Sequence, residues 1–369
     1  MKRYKILWGG AGCTRYMATS TRLRPAVDLL QRFIALEKFR TIIGISMKAR
    51  SPFDDRYRSL LQKAVRRGHV EWVYAASALI EHLSIHTEAW FEKRTAFIVF
   101  GDCWPLGAEL AFTRKFHSKV AALIRVAQAT KYRDATGLGF LGYALAHGDE
   151  TALDQSPDDR IVRLIAKAVR QPDDFWEWIS SQPVDPPQAA LIANARRYRD
   201  GGRPHDGAVV KAAAYLALSG ALPRPQPAAS PISAFPYWVV FDRHTNEGKR
   251  ALSDIARDLR MQLTQLEWCY YYFEGADTHG EHPSPWWQRY CRWNFRRIGL
   301  NPEEALLLWE PARDQLIEAL AGDGHRLQNE LYRWKLANLE RIETLKRQVD
   351  YFNTHLDARR PAVRDAQAV

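Results

Sequence analysis

Few side chains in this sequence have the types and spacing that specify a reaction. The sharpest group is Asp242 and His244 in FDRHTNEGK, followed further on by His279 and His282 in HGEH. One carboxylate and three imidazoles are the donors that zinc or iron takes, so a metal-dependent hydrolase is one reading of them. Their spacing matches no established metalloenzyme signature. The same residues also read structurally: Thr245 or Asn246 caps a helix, Glu247 sits in its favourable first turn, and the histidines lie in a solvated loop. No metal or other cofactor is therefore expected, with Asp242, His244, His279 and His282 kept as the metal candidates. A second chemical possibility, the glycine-bearing opening Trp8–Thr14, lacks the lysine that a phosphate loop needs after its last glycine, and it reads as a turn.

Charge is more informative. The 369 residues carry a formal net charge of +11. Residues 1–67 hold sixteen Lys and Arg against four acids, a net of +12, so the rest of the chain is close to neutral. Basic character this local favours one anionic partner, and DNA is expected ahead of membrane lipid. Lys38, Arg40, Lys48, Arg50, Arg56, Arg58, Arg66 and Arg67 are the expected phosphate contacts, which position a nucleic acid without reading its sequence. The segment PWWQRYCRWNFRR interleaves aromatic rings with arginines, the combination that single-strand binders use, and adds Arg292 and Arg296 to that set. Its alternative reading is a core helix with arginines on the outer side.

Apolar residues at helical spacing account for most of the remaining chain. YRSLLQKAVRRGHVEWVYAASALIEHL and EAWFEKRTAFIVFGD predict three successive helices of a bundle. Further helices are expected over 25–40, 158–169, 173–179, 189–198 and 207–218, the last rich in alanine and so central to its bundle. The stretch SGALPRPQPAASPISAFP reads as a semi-rigid linker. Beyond it come a long helix over 247–273, a helix from Pro302 through Trp309, and a last element over 325–357. In that element Ile342, Leu345, Val349, Phe352 and Leu356 recur at heptad-like spacing that suits pairing with another helix. The four cysteines are scattered without a CxxC pair, as expected of reduced thiols in a cytoplasmic protein. No apolar run is long enough to span a membrane.

Two of these segments resemble a known family. Asp55-Arg56-Tyr57 through EKRTAFIVFGD, with Lys63, Arg66, Arg67, Gly68, Lys93, Arg94 and Asp102, and Asp206 to Leu218 further on, are similar to the helical collar of replication-associated recombination ATPases, relatives of clamp loaders. Their ATPase module, with its Walker A lysine and Walker B acids, is absent. The resemblance implies assembly near DNA, as a homo-oligomer or with a separate AAA+ ATPase, and carries over no ATP hydrolysis.

The sequence thus predicts a mainly α protein, a collar-like helical bundle plus an aromatic-rich helical domain. Its expected parts are a basic region 1–54, a collar-like domain 55–218, a linker 219–236, a C-terminal domain 237–358 and a disordered tail 359–369. The expected function is that of a non-enzymatic, nucleic-acid-binding accessory subunit in DNA replication, repair or defence against foreign DNA. The alternatives are the metal-dependent hydrolase and a protein-interaction scaffold that binds no DNA.

Overall fold

The computed structural model describes residues 55–83, 87–200 and 203–359, which are mainly α-helical with no β-strand among them. The expected basic region, with Lys38, Arg40, Lys48 and Arg50, and residues 360–369 of the expected tail lie outside the described residues, whereas Arg359 ends the last helix. The helices are α1 (Asp55–Arg66), α2 (Val70–Leu83), α3 (Thr87–Asp102), α4 (Phe116–Gln128), α5 (Asp134–Ala146), α6 (Asp159–Arg170), α7 (Pro172–Ser180), α8 (Pro186–Arg197), α9 (Asp206–Leu218), α10 (Asn246–Asp258), α11 (Leu263–Tyr270), α12 (Pro285–Arg297), α13 (Pro302–Ala337) and α14 (Leu339–Arg359).

In α1 the apolar positions Tyr57, Leu60, Leu61, Ala64 and Val65 fall on one face and are buried. The helix stops at Gly68, whose φ of +72° suits a residue without a side chain. His69 N–H reaches back to Ala64 O at 2.9 Å and Gly68 N–H to Val65 O at 3.3 Å, which satisfies two carbonyls of the last turn. The chain then turns directly into α2.

Helix α5, DATGLGFLGYALA, is the hub. It packs against α6, α9 and α12. Its glycines permit that approach: a Cβ at Gly137 would stand 2.2 Å from the Trp286 backbone at the start of α12, one at Gly139 2.6 Å from Val209 Cα in α9, and one at Gly142 2.5 Å from Ile165 Cγ2 in α6. The alanine-rich α9 is buried along most of its length, as its small side chains predicted. Because α5 joins α9 to α12, the aromatic C-terminal part shares one core with the collar-like part.

The expected linker 219–236 accordingly does not separate two bodies. The described residues form one compact unit, and the proline-rich stretch is laid along it, with Thr130 N–H donating to Gln226 O at 2.8 Å and Ala228 N–H to Gln128 O at 2.7 Å. Two helix boundaries also differ from expectation. The helix expected over 247–273 breaks at Arg260, which adopts φ +55° while Met261 N–H closes onto Ala256 O at 2.8 Å. This is a glycine-type helix ending carried by an arginine, so composition gave no sign of it. Conversely, α13 runs for 36 residues straight through Pro311. The proline removes one backbone hydrogen bond, but buried Ala305 and Trp309 before it and Ala312, Leu316 and Leu320 after it keep the helix continuous.

The heptad-like stripe is used internally. Ile342, Leu345 and Val349 are buried and Phe352 is half-buried, with α14 lying against α2 and α4 of the same chain, so these residues are not free to pair with another molecule.

Lys131 is wholly buried and bridges the end of α4 to the loop before α12. Its ammonium donates to Ala127 O at 3.2 Å, Ala129 O at 2.6 Å and His279 O at 3.3 Å. Burial lowers its pKa to about 8. Lys131→Met would strand these carbonyls, and an unsatisfied buried acceptor costs about 1–3 kcal/mol. Urea denaturation should show the variant about 2–4 kcal/mol less stable. An unchanged midpoint would mean that the three carbonyls find other donors.

Candidate functional site

A cavity of about 750 Å³ opens between α1, α3, α5, α11, α12 and the turns that precede α9 and α10. A volume of this size suits a small organic ligand. The turns are fixed by their own side chains. Before α9, Arg203 N–H donates to Asp206 Oδ2 at 2.7 Å. Before α10, His244 N–H donates to Asp242 Oδ1 at 2.9 Å and Gly248 N–H to Thr245 Oγ1 at 3.1 Å, so Thr245 is the helix cap.

Most charges on the cavity wall are matched. Lys63 Nζ lies 2.7 Å from Asp242 Oδ2, Arg66 Nε 3.0 Å from Asp102 Oδ1, Arg297 Nε 3.1 Å from Asp149 Oδ2, and Arg243 Nη1 3.7 Å from Glu267 Oε2. Lys63 also donates to Ser59 Oγ at 2.7 Å. Burial would raise the Asp242 carboxyl, but the Lys63 ammonium and the His244 N–H hold it down at about 2, so the carboxylate is ionised at neutral pH.

Two cations are not matched. Arg94 has no carboxylate within ion-pair distance among the described residues and donates to Gln62 Oε1 alone, leaving most of its five N–H donors unused. Burial lowers its pKa; Asp206 opposes this, while Arg66 and Arg203 add to it. Arg203 likewise makes no ion pair among the described residues. These guanidinium groups converge with Arg243 on two imidazoles. Burial lowers the pKa of His205, with Asp206 opposing and Arg203, Arg94 and Arg243 adding to the depression. Burial also lowers that of His244, against Asp242 and with Arg203, Arg243 and Lys63. The cavity wall therefore sets these arginines beside two imidazoles that burial holds towards the neutral form, with Asp206 and Asp242 as the opposing carboxylates.

Both histidines ordinarily titrate near 6.5, and a pKa depressed by folding means that the unfolded chain binds protons more readily. The stability they contribute is present above that value and lost as pH falls through it. Thermal unfolding should therefore occur at a lower temperature at pH 5.5 than at pH 7.5, with a smaller difference in His205→Asn/His244→Asn. An equal difference in that variant would place the effect elsewhere.

The other anticipated residues are dispersed. Arg66 also donates to Gly275 O at 2.9 Å, and Arg67 binds Glu274 Oε2 at 3.0 Å and Asp277 Oδ2 at 2.8 Å, so both clamp α1 to the turn after α11. Arg56 lies 3.6 Å from Glu330, and Arg58 pairs with Asp55 at 3.3 Å with its guanidinium over the Trp90 ring. Within α12, Trp287, Tyr290, Trp293 and Phe295 are buried and Arg296 is paired with Asp154, whereas Arg292 is exposed. Most of that segment is core, as its alternative reading had it.

The four metal candidates are not assembled. Asp242 and His244 line the cavity, but His279 Nε2 contacts Ala229 O and the exposed His282 stacks on Tyr132 with ring centroids 4.2 Å apart. Among the described residues no group of three or more His, Cys, Asp or Glu is arranged to hold a metal ion. The physical reason is that Lys131 N–H donates to Gly280 O at 2.7 Å and His282 N–H to Lys131 O at 2.9 Å, which bind the HGEH loop to the body by its backbone. The loop is therefore knit into the fold and not simply solvated.

Cys103, Cys269 and Cys291 are buried free thiols, and burial raises the first two to about 12. Among the described residues no helix is long and apolar enough to cross a membrane. Arg203 and His205 carried no motif that would have singled them out, Arg243 lay inside FDRHTNEGK without being picked from it, and Arg94 was visible only within the collar-like resemblance. No protein-family model, curated protein or solved structure matches this chain.

Proposed function

We propose that this protein is a nucleic-acid-binding accessory subunit, acting in DNA replication, repair or defence against foreign DNA, and that its helical body receives a phosphate group in the cavity between α3, α9 and α10. The observation that carries this reading is that Arg94, Arg203 and Arg243 line one cavity beside His205, with no carboxylate within ion-pair distance of Arg94 or Arg203 among the described residues. A phosphate there would accept the unused guanidinium donors, in the charge-assisted geometry that arginine favours. The basic residues Lys38, Arg40, Lys48 and Arg50 would supply further backbone contacts that position the strand. The assembly partner in this reading is a second copy or a separate AAA+ ATPase.

Binding of labelled single- and double-stranded DNA across a salt series tests the proposal. Salt-sensitive binding that weakens in Arg94→Ala/Arg203→Ala supports it, and absence of binding by the intact protein at low salt overturns it.

A protein-interaction scaffold is the second reading. It is favoured by Leu307 on α13 and Leu336 at its far end, 71% and 68% exposed, which face solvent with large apolar side chains.

A further inference from the structure

The cation cluster does not stand alone in the cavity. Phe140 meets His205 edge-on with centroids 5.1 Å apart and meets Tyr290 at 5.0 Å, while Trp268 lies 5.7 Å and Trp293 5.9 Å from Tyr290. An aromatic wall thus begins at the imidazole that faces Arg94 and Arg203 and continues across the cavity, with Phe140, Trp268, Tyr290 and Trp293 all lining it. The site offers guanidinium donors of Arg94 and Arg203 at one end and, beside them, flat apolar surfaces. Aromatic faces and edges of this kind take up planar rings, and base–aromatic stacking is sequence-tolerant because every base has a π-face. About 750 Å³ holds a small organic molecule but not a base-paired duplex.

We infer that the cavity binds one unpaired nucleoside monophosphate unit, its phosphate on Arg94 and Arg203 and its base against the wall formed by Phe140, Trp268, Tyr290 and Trp293. This rests on the phosphate-binding reading above and adds that a single nucleotide, not an internal stretch of backbone, is the group recognised. Two sources present that chemistry, a free nucleotide and the phosphorylated end of a strand.

Isothermal titration of the full chain with inorganic phosphate, deoxyadenosine, deoxyadenosine monophosphate, and one single-stranded oligonucleotide with and without a 5′-phosphate tests the inference. The monophosphate should bind at least ~10-fold more tightly than either phosphate or the nucleoside, since charge-assisted bonds and ring stacking each contribute. Arg94→Ala/Arg203→Ala should remove most of that affinity. Trp268→Leu should reduce it toward the value for inorganic phosphate while leaving phosphate itself unaffected. A gain from the 5′-phosphate would identify the strand end as the source; equal oligonucleotide binding beside tight monophosphate binding would identify the free nucleotide.

Equal affinities for phosphate and monophosphate, or no binding of either, would overturn the inference. Because Arg94 is half-buried, Arg94→Lys serves as a second variant that keeps the charge; it should bind more tightly than the Ala variant. If the oligonucleotides bind with dependence on Arg94 and Arg203 but the monophosphate shows no gain, the single-nucleotide inference alone fails. If the monophosphate binds and no oligonucleotide does, the nucleic-acid reading fails and the cavity assignment stands.

Discussion

Gly137→Ala should be the most damaging small substitution in the helical body, costing more than ~3 kcal/mol of stability and possible to score by denaturant unfolding or by loss of soluble expression. Overpacking in a core commonly costs about 1–3 kcal/mol when side chains can shift to relieve it. Here the obstruction is backbone. The added methyl would stand 2.2 Å from the Trp286 carbonyl carbon and oxygen and 2.4 Å from Trp287 N, so relief requires α5 and α12 to move apart. Moving them apart strips contacts from Trp287 and Tyr290, which are buried in α12. It would also disturb the aromatic wall of the cavity. Gly148→Ala is the control, because no heavy atom lies within 4 Å of a Cβ at that position, although its φ of +90° adds local strain. A Gly137→Ala protein as stable as the parent would show that the α5–α12 contact does not hold the two parts of the chain together.

Asp242→Ala is expected to have the next largest effect. It leaves the Lys63 ammonium, 5% exposed, facing Ser59 Oγ as its remaining side-chain partner in this cluster. Removing one member of a buried ion pair costs about 3–5 kcal/mol, because the survivor is desolvated without compensation. The loss should be pH-dependent. Burial lowers the lysine pKa in the intact pair, and without Asp242 opposing it the depression deepens. Stability of the variant should then rise with pH as Lys63 sheds its proton in the folded state, since the unfolded chain keeps that proton up to about 10.4. The double variant Lys63→Met/Asp242→Leu should recover much of the loss, because it removes both charges. A single variant that loses under ~1 kcal/mol, with no pH dependence, would mean that water reaches Lys63 freely.

How far the sequence anticipated this arrangement depends on the kind of signal. Helices with a one-sided apolar stripe, such as α1 and α6, were legible because periodicity reports burial directly. Helix α9 was legible through its alanines. The Arg260 break was not, since a left-handed position held by arginine has no compositional mark, and the continuity of α13 through Pro311 depends on tertiary packing on both sides of the proline. The role of α5 was visible only as a run of glycines; that each glycine faces a different helix is a property of the folded chain. Of the site, Asp242 and His244 stood out by residue type. Their partners did not, because Lys63, Arg94 and Arg203 come from three separate segments that meet only in the fold. Charge alone did not distinguish arginines that clamp the structure, such as Arg66 and Arg67, from those left unmatched.

In the proposed function, Arg94 and Arg203 in the cavity hold a phosphate of nucleic acid. The most direct test is fluorescence anisotropy of a labelled single-stranded oligonucleotide, measured from low to high salt with the intact protein and with Arg94→Ala/Arg203→Ala. Salt-sensitive binding is expected, at least ~10-fold weaker in the variant, with a salt slope shallower by about 1–2 for the two phosphate-neutralising charges removed. Binding of equal strength and equal salt dependence by the two proteins would contradict it, and so would no binding by either.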